Sequence, residues 1–315
     1  LSNQQNGDAV SDPKPAYRRF KSYAGFLVVG EAPVTTADFP SIASDHLQRA
    51  TYLTACLEAP HWGTVQSYDG AGISAGIMHA IAFYRATGRQ GSLWGLLREI
   101  ELACDNSVVA EVWGLLADVG WYLATDGVVR SRDDGSVVHG MKIRWTISGP
   151  LGKVPPSGPV HEAAKRWAMA FSRMMADPAT FGIQIKFCID WLNRGHSGLE
   201  GRVYRWLSTA QKNGGSQAAE VNSPGAAMSP EHDLAMAVYQ AFSVNAPSPA
   251  ARCLSSTQAV GPGDFSRTLI RALGTAQRSG WAHRYSLTRS RALSSGLWPS
   301  ELFTGSRAVM PPTLG

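Results

Sequence analysis

The stretch that decides the reading of this chain is Leu53-Thr-Ala-Cys-Leu-Glu58-Ala-Pro-His-Trp-Gly-Thr-Val-Gln66-Ser-Tyr68-Asp69-Gly-Ala-Gly-Ile-Ser74-Ala-Gly-Ile-Met-His79. It runs from an apolar helical segment into a glycine-rich loop. Residues 41–58 place Ile42, Leu47, Ala50, Leu53, Ala55 and Leu57 near helical spacing, and Pro60 stops the run. Glu58 would therefore close an apolar helix, where burial favours the neutral acid over the carboxylate. Asp69 follows on a loop whose Gly70 and Gly72 permit tight turns back over the helix end. Polar surroundings would keep Asp69 ionised, and the Ser74 hydroxyl is placed to hold a water. A protonated acid facing an ionised carboxylate is the pairing that glycoside hydrolysis uses. The eleven-residue spacing of the two favours the longer, inverting separation of about 6.5–9.5 Å.

Outward from this stretch the chain reads as mainly α (α+β), with helices over Ile77–Thr87, Leu93–Cys104, Val108–Ala124, Val160–Ala176, Gly182–Arg194 and Val203–Lys212. A polar loop at 213–230 precedes further helices at 231–243, 264–279 and 286–295. Residues 61–75 read as loop plus a small hairpin. A second hairpin is expected at 128–147, alternating around Asp133-Asp134-Gly135-Ser136. Residues 1–20 read as a linker or tail and 21–315 as one domain carrying that hairpin as an insertion. The first sixteen residues lack the charged start and apolar core of a signal peptide, and a start such as Leu-Ser-Asn-Gln-Gln reads as a segment of a larger polypeptide.

Composition narrows the function classes. Of 315 residues 44% are hydrophobic and 17% charged, enough to build a core and against global disorder. The formal charge of +5 favours an anionic partner, yet no Lys/Arg-rich motif suits nucleic acid. No apolar run is long enough to insert in a membrane. The four cysteines, Cys56, Cys104, Cys188 and Cys253, have no metal-ligand spacing and read as buried free thiols, so neither a metal nor another cofactor is expected. The lone Gly70-Ala-Gly72 falls short of a phosphate loop, and no serine-hydrolase nucleophile elbow is read in the chain.

Leu57-Glu58 followed by Tyr68-Asp69-Gly70-Ala71-Gly72-Ile73-Ser74-Ala75-Gly76-Ile77 resembles the lysozyme-like superfamily, which includes phage-type lysozymes and bacterial chitosanases. Its pattern is a glutamate ending the first core helix, then Asp-Gly-x-Gly-Ile-Ser-x-Gly. Weaker likenesses follow in order: Trp167 to Phe171 with Asp177-Pro-Ala-Thr-Phe181-Gly-Ile-Gln184, then Gly198 to Arg202 with Gln211-Lys-Asn213-Gly-Gly, then Arg289 to Gly296. The chain departs from the pattern at Ala75, where relatives carry a bulky residue, and at Met78-His79, where they carry Gln-Trp.

The resemblance implies a fold of two helical lobes with small hairpins and hydrolysis of the β-1,4 bond between N-acetylmuramic acid and N-acetylglucosamine. Glu58 would be the general acid and Asp69 the water-activating carboxylate, with Ser74 assisting. Gln66, Tyr68, His79, Gln211 and Asn213 would bind sugar. Peptidoglycan is then the partner, met by a monomer in the periplasm of a target cell. Relatives include phage lysins and type VI secretion effectors, which implies a cognate immunity protein. Two other classes stay open: a hydrolase of another glucosamine polymer such as chitosan, and a silent wall-binding domain. His61 near the pair, and Glu99, Glu101 and Glu111 on helices, are further candidates for the cleft.

Overall fold

A computed structural model describes residues 16–19, 25–67, 71–84, 87–149, 154, 157–193, 229–244, 246–257, 265–276, 282–306 and 308–311. The chain opens with strands β1 (Ala16–Arg19) and β2 (Phe26–Val29), followed by helix α1 (His46–Glu58). Asp45 caps α1 by accepting from the backbone N–H of Leu47 at 2.8 Å, and the helix ends where Ala59 leaves helical geometry ahead of Pro60. Strands β3 (Val65–Gln66), β4 (Ser74–Ala75) and β5 (Ala80–Ile81) complete a five-stranded antiparallel sheet in the order β1-β2-β3-β4-β5. A two-stranded ribbon, β6 (Phe83–Tyr84) with β7 (Arg89–Gln90), leads into helices α2 (Leu93–Ala103) and α3 (Asn106–Asp118). Strands β8 (Trp121–Leu123) and β9 (Val129–Ser131) form a second ribbon. Helices α4 (Gly140–Ser148), α5 (Pro159–Ala176) and α6 (Phe181–Asn193) follow. The C-terminal part holds α7 (Pro230–Ser243), α8 (Pro247–Thr257), α9 (Phe265–Thr275) and α10 (Ala282–Ser294). The class is mainly α with small antiparallel sheets, as the sequence implies.

Two main cores divide the molecule. One lies under the sheet, where α5 presents Ala164, Trp167, Ala168, Phe171 and Met175 at helical spacing against Phe26, Val65 and α2. The other gathers α7 to α10 around Ala50 and Leu53 of α1, so α1 belongs to the C-terminal helices as much as to the sheet that follows it. A smaller group, including Ala55, Trp62, Ile77 and Cys188, joins the two. Within it the Trp62 indole stacks on Phe181 at 3.8 Å between centroids. The four cysteines are free thiols, three buried and Cys104 half-buried with its Sγ on the Ala179 carbonyl.

Several expectations need correction. Ile77–Thr87 is not a helix: Gly76 and His79 both take positive φ, which breaks a helix, and residues 80–84 pair as strands β5 and β6. The hairpin expected at 128–147 is displaced toward the N-terminus. Val129–Ser131 pairs with Trp121–Leu123, which lies before it, and meets the later segment only through one bridge, Arg130 to Val137. Residues 140–148 form α4 because the His139 ring caps the N–H of Met141, and Ile143 and Ile147 reach the core one turn apart. Within the expected tail, Ala16–Arg19 pairs with β2 as the sheet's edge strand. Helix α8, beginning at Pro247, is an addition to the expected elements. The expected helix at 203–212 and most of the loop at 213–230 lie outside the described residues.

Candidate functional site

Glu58 is the last residue of α1 and its side chain is only 5% exposed. A carboxylate there faces the helix's own unpaired carbonyls, the unfavourable end of the helix dipole. The counter-charge comes from far away in sequence: the Arg284 guanidinium, on the first turn of α10, donates to Glu58 Oε1 and also to the Ala241 carbonyl at 3.3 Å. Burial pushes Arg284 down to about 10, still a cation at neutral pH. Burial favours the neutral acid at Glu58 and the guanidinium favours the carboxylate, so the two influences oppose each other.

On the other side of Glu58 stands His79, its Nδ1 3.9 Å from Oε2 and 3.2 Å from Gln66 Nε2. The Gln66 amide and the Glu58 carboxylate thus both stand against the same ring nitrogen. His79 has a φ of 51°, a left-handed conformation unusual for a side chain of this size. The fold holds it there between Gly76, whose carbonyl accepts the His79 N–H at 3.1 Å, and strand β5. Backbone strain of this kind clusters at binding and catalytic sites.

Gln66 and Ser74 arrive together because they are direct partners across β3 and β4, and cross-strand partners share a face of the sheet. Glu58, Gln66, Ser74 and His79 all line one cavity of about 310 Å³ at the junction of the two main cores. Its remaining wall is largely apolar, with Ile77, Met78, Leu96 and Phe187 among the contributors. A few polar groups converging over apolar walls is the common form of a small-molecule site.

Of the residues singled out in the sequence, Glu58, Ser74, Gln66 and His79 are thus brought together. Asp69 and Tyr68, with the separation expected for the carboxyl pair, lie outside the described residues, as do Gln211 and Asn213. The feet of the Asp69 loop are described. Ser67 Oγ accepts from the Phe26 N–H at 2.9 Å, and Ser148 Oγ donates to the Gly72 carbonyl at 2.8 Å. The remaining candidates fall elsewhere. His61 forms a bridge with Pro33, and Glu101 and Glu111 pair with Arg98 and Arg173 on α2, α3 and α5, none of them on the cavity wall. Glu99 is likewise not among the lining residues. The spacing Gly72-Ile-Ser74-Ala-Gly76 does satisfy Gly-x-Ser-x-Gly, contrary to the sequence reading. Ser74 nevertheless sits in extended β4 between two paired strands, whereas a nucleophile elbow needs a sharp strand-to-helix turn.

Sequence reasoning missed Arg284 and Gln184. Arg284 carries no local signal, and Gln184 lay in a quoted motif without a role. Among the described residues, no group of His, Cys, Asp and Glu side chains could hold a metal ion, and no helix is long and apolar enough to cross a membrane. Comparison of the chain with protein-family profiles, curated proteins and solved structures found no match to any of them.

Proposed function

We propose that this protein is a glycoside hydrolase of lysozyme-like type that cleaves the β-1,4 bond between N-acetylmuramic acid and N-acetylglucosamine in peptidoglycan. The observation that carries the reading is the position of Glu58: a buried carboxyl at the end of the first core helix, opening on a cavity shared with Gln66, Ser74 and His79. Burial and the helix C-terminus favour the neutral acid at Glu58 while Arg284 favours the carboxylate, so the carboxyl sits where both forms have support and a proton can be passed to a leaving oxygen. In sequence Asp69 lies between β3 and β4, and Gln66 and Ser74 of those strands line the cavity.

In this mechanism Glu58 gives its proton to the glycosidic oxygen as the bond to the anomeric carbon breaks. Asp69 takes a proton from the water whose oxygen joins that carbon, with Ser74 Oγ orienting the water. Arg284 stabilises the Glu58 carboxylate left behind, and Gln66 holds His79 against the sugar. The net charge of +5 suits an anionic wall polymer. By its likeness to lysins and injected effectors, the protein would act in the periplasm of a target cell and be restrained by a cognate immunity protein.

The test is a muropeptide profile by mass spectrometry of purified peptidoglycan treated with wild type, Glu58→Gln and Asp69→Asn. Soluble fragments ending in reducing N-acetylmuramic acid are expected from wild type alone. Wall binding without fragments, or a Glu58→Gln variant as active as wild type, would reject the assignment. Fragments from chitosan and none from peptidoglycan would move the substrate to the other glucosamine polymer.

A further inference from the structure

We propose that Gln184 is a specificity-determining residue of this site, its Oε1 accepting the N–H of a sugar's 2-acetamido group. This rests on the sugar-hydrolase reading and assigns it a recognition element that the carboxyl pair does not supply.

Gln184 is completely buried on α6 and lines the same cavity as Glu58. Its amide is fixed in one orientation. Nε2 donates to the Met175 carbonyl and to Thr180 Oγ1, both at 2.9 Å. The Met175 carbonyl can only accept, and Thr180 Oγ1 spends its own hydrogen on the Asp177 carbonyl at 2.8 Å. The nitrogen must therefore face these two groups, and Oε1 must face the other way. There it accepts no hydrogen bond from the protein. A buried carbonyl-type oxygen without a donor is costly, and native folds rarely keep one without a use.

The direction of Oε1 is set by Gly76. A Cβ built on Gly76 would stand 2.7 Å from Oε1, so any side chain there would cover the oxygen, and the φ of +78° also favours glycine. Ala75 and Ile77, on either side of Gly76, both line the cavity. The oxygen thus lies beside a glycine, with no side chain to cover it, between two residues of the cavity wall. One turn further along α6, Phe187 and Cys188 line the cavity on the same helix face as Gln184. A buried acceptor beside an apolar patch matches an acetamido group, whose N–H would meet Oε1 and whose methyl would meet Phe187 and Cys188. A free amine offers no methyl, and at neutral pH it would bring a cation into the cavity walled by Ile77 and Met78, next to Arg284.

The experiment uses the full chain. Binding of tri-N-acetylchitotriose is compared, by calorimetry, with its analogue carrying 2-acetoxy in place of 2-acetamido, which keeps the methyl and carbonyl and removes only the N–H. Cleavage is compared on peptidoglycan before de-N-acetylation, after it, and after re-acetylation. Wild type is expected to favour the acetamido ligand by about tenfold, the effect of one buried hydrogen bond, and to lose cleavage on de-N-acetylation and regain it on re-acetylation. Gln184→Met, of similar length and without polar atoms, should bring the acetamido-to-acetoxy ratio close to one. Equal affinity of wild type for the two ligands, or an unchanged ratio in Gln184→Met, overturns the assignment. If Gln184→Met does not fold, the ligand comparison in wild type decides alone. An acetamido preference in binding with no cleavage of any wall preparation supports Gln184 while rejecting the hydrolase reading.

Discussion

Helix α1 carries an ion-pair partner near each of its ends, and the two pairs join it to the C-terminal helices in different ways. At its start, Arg49 Nε donates to Asp233 Oδ2 on α7 at 2.6 Å, and the Trp298 indole N–H donates to the same oxygen at 3.0 Å. Arg49 also holds the carbonyls of Ile42 and Ala43. That pair is closed on itself, set among core side chains, and neither residue lines the cavity beside Glu58. At the other end Glu58 meets Arg284 on α10, but its remaining side opens on the cavity with His79 and Gln66. A sealed pair spends its charges on joining helices. An open pair keeps one carboxyl where a ligand can reach it, at the cost of weaker cohesion. Burial raises the Asp233 carboxyl above the ordinary range even with Arg49 beside it, which shows how expensive the sealed site is.

The largest effect that would break this contrast is on activity. Glu58→Gln is expected to lower muropeptide release by about 10²–10⁴-fold, the usual contribution of a general acid, while the near-ultraviolet circular dichroism stays native. A variant at the sealed pair should do the reverse. Arg49→Met leaves Asp233 buried without its cation and is expected to destabilise the fold by about 3–5 kcal/mol in urea unfolding, with residual activity tracking the folded fraction. If Arg49→Met instead cut activity in fully folded protein, the two pairs would not be separable. Arg284→Met falls between them. Because Glu58 can take up a proton at the cavity wall, a smaller destabilisation of about 1–2 kcal/mol is expected, together with lower kcat for wall cleavage. A loss as large as that of Arg49→Met would mean the open pair is also structural.

The smallest effect concerns pH. His232, next to Asp233, stacks on Phe265 at 5.4 Å, and burial, helped by His46, holds its imidazole below the ordinary value of 6.5. The unfolded chain then binds a proton that the folded chain refuses. This contribution to stability is complete above 6.5 and is lost as pH falls through 6.5 toward the lowered value. Urea unfolding at pH 7.5 and 5.5 should show wild type losing more stability on acidification than His232→Leu. Equal losses would remove His232 from the account.

Much of the local structure was readable because it rests on local rules. Helices α2, α5 and α6 show a 3.6-residue apolar period, and Pro60 marks the end that leaves Glu58 at a helix terminus. The β3–β4 hairpin followed from glycines. The misreadings lie where partners outvoted propensity. Met78, Ala80 and Ala82 are good helix formers, yet positive φ at Gly76 and His79 and pairing with β4 and β7 make this stretch extended. Residues 140–145 alternate like a strand, but the His139 cap and the core positions of Ile143 and Ile147 select a helix. Ala16–Arg19, polar and short, gains its strand from β2 rather than from its own residues.

The candidate site divides along the same line. Gln66, Ser74 and His79 were visible near Glu58 because they are close in sequence, and the antiparallel pairing of two short strands keeps such neighbours together. Arg284 stands 226 residues from Glu58, and nothing in its own surroundings distinguishes it from other arginines of the chain. Gln184 acquires meaning only through the two acceptors that turn its amide and the glycine whose missing side chain leaves room for its oxygen. By itself the sequence determined a mainly helical chain and an acid at the end of a buried helix, because periodicity, capping and chain breaks act between near neighbours. Tertiary structure alone decided which cation meets that acid, which buried amide oxygen is left without a donor and which of the two ion pairs is closed, because charge pairing and burial depend on distance in space and not along the chain.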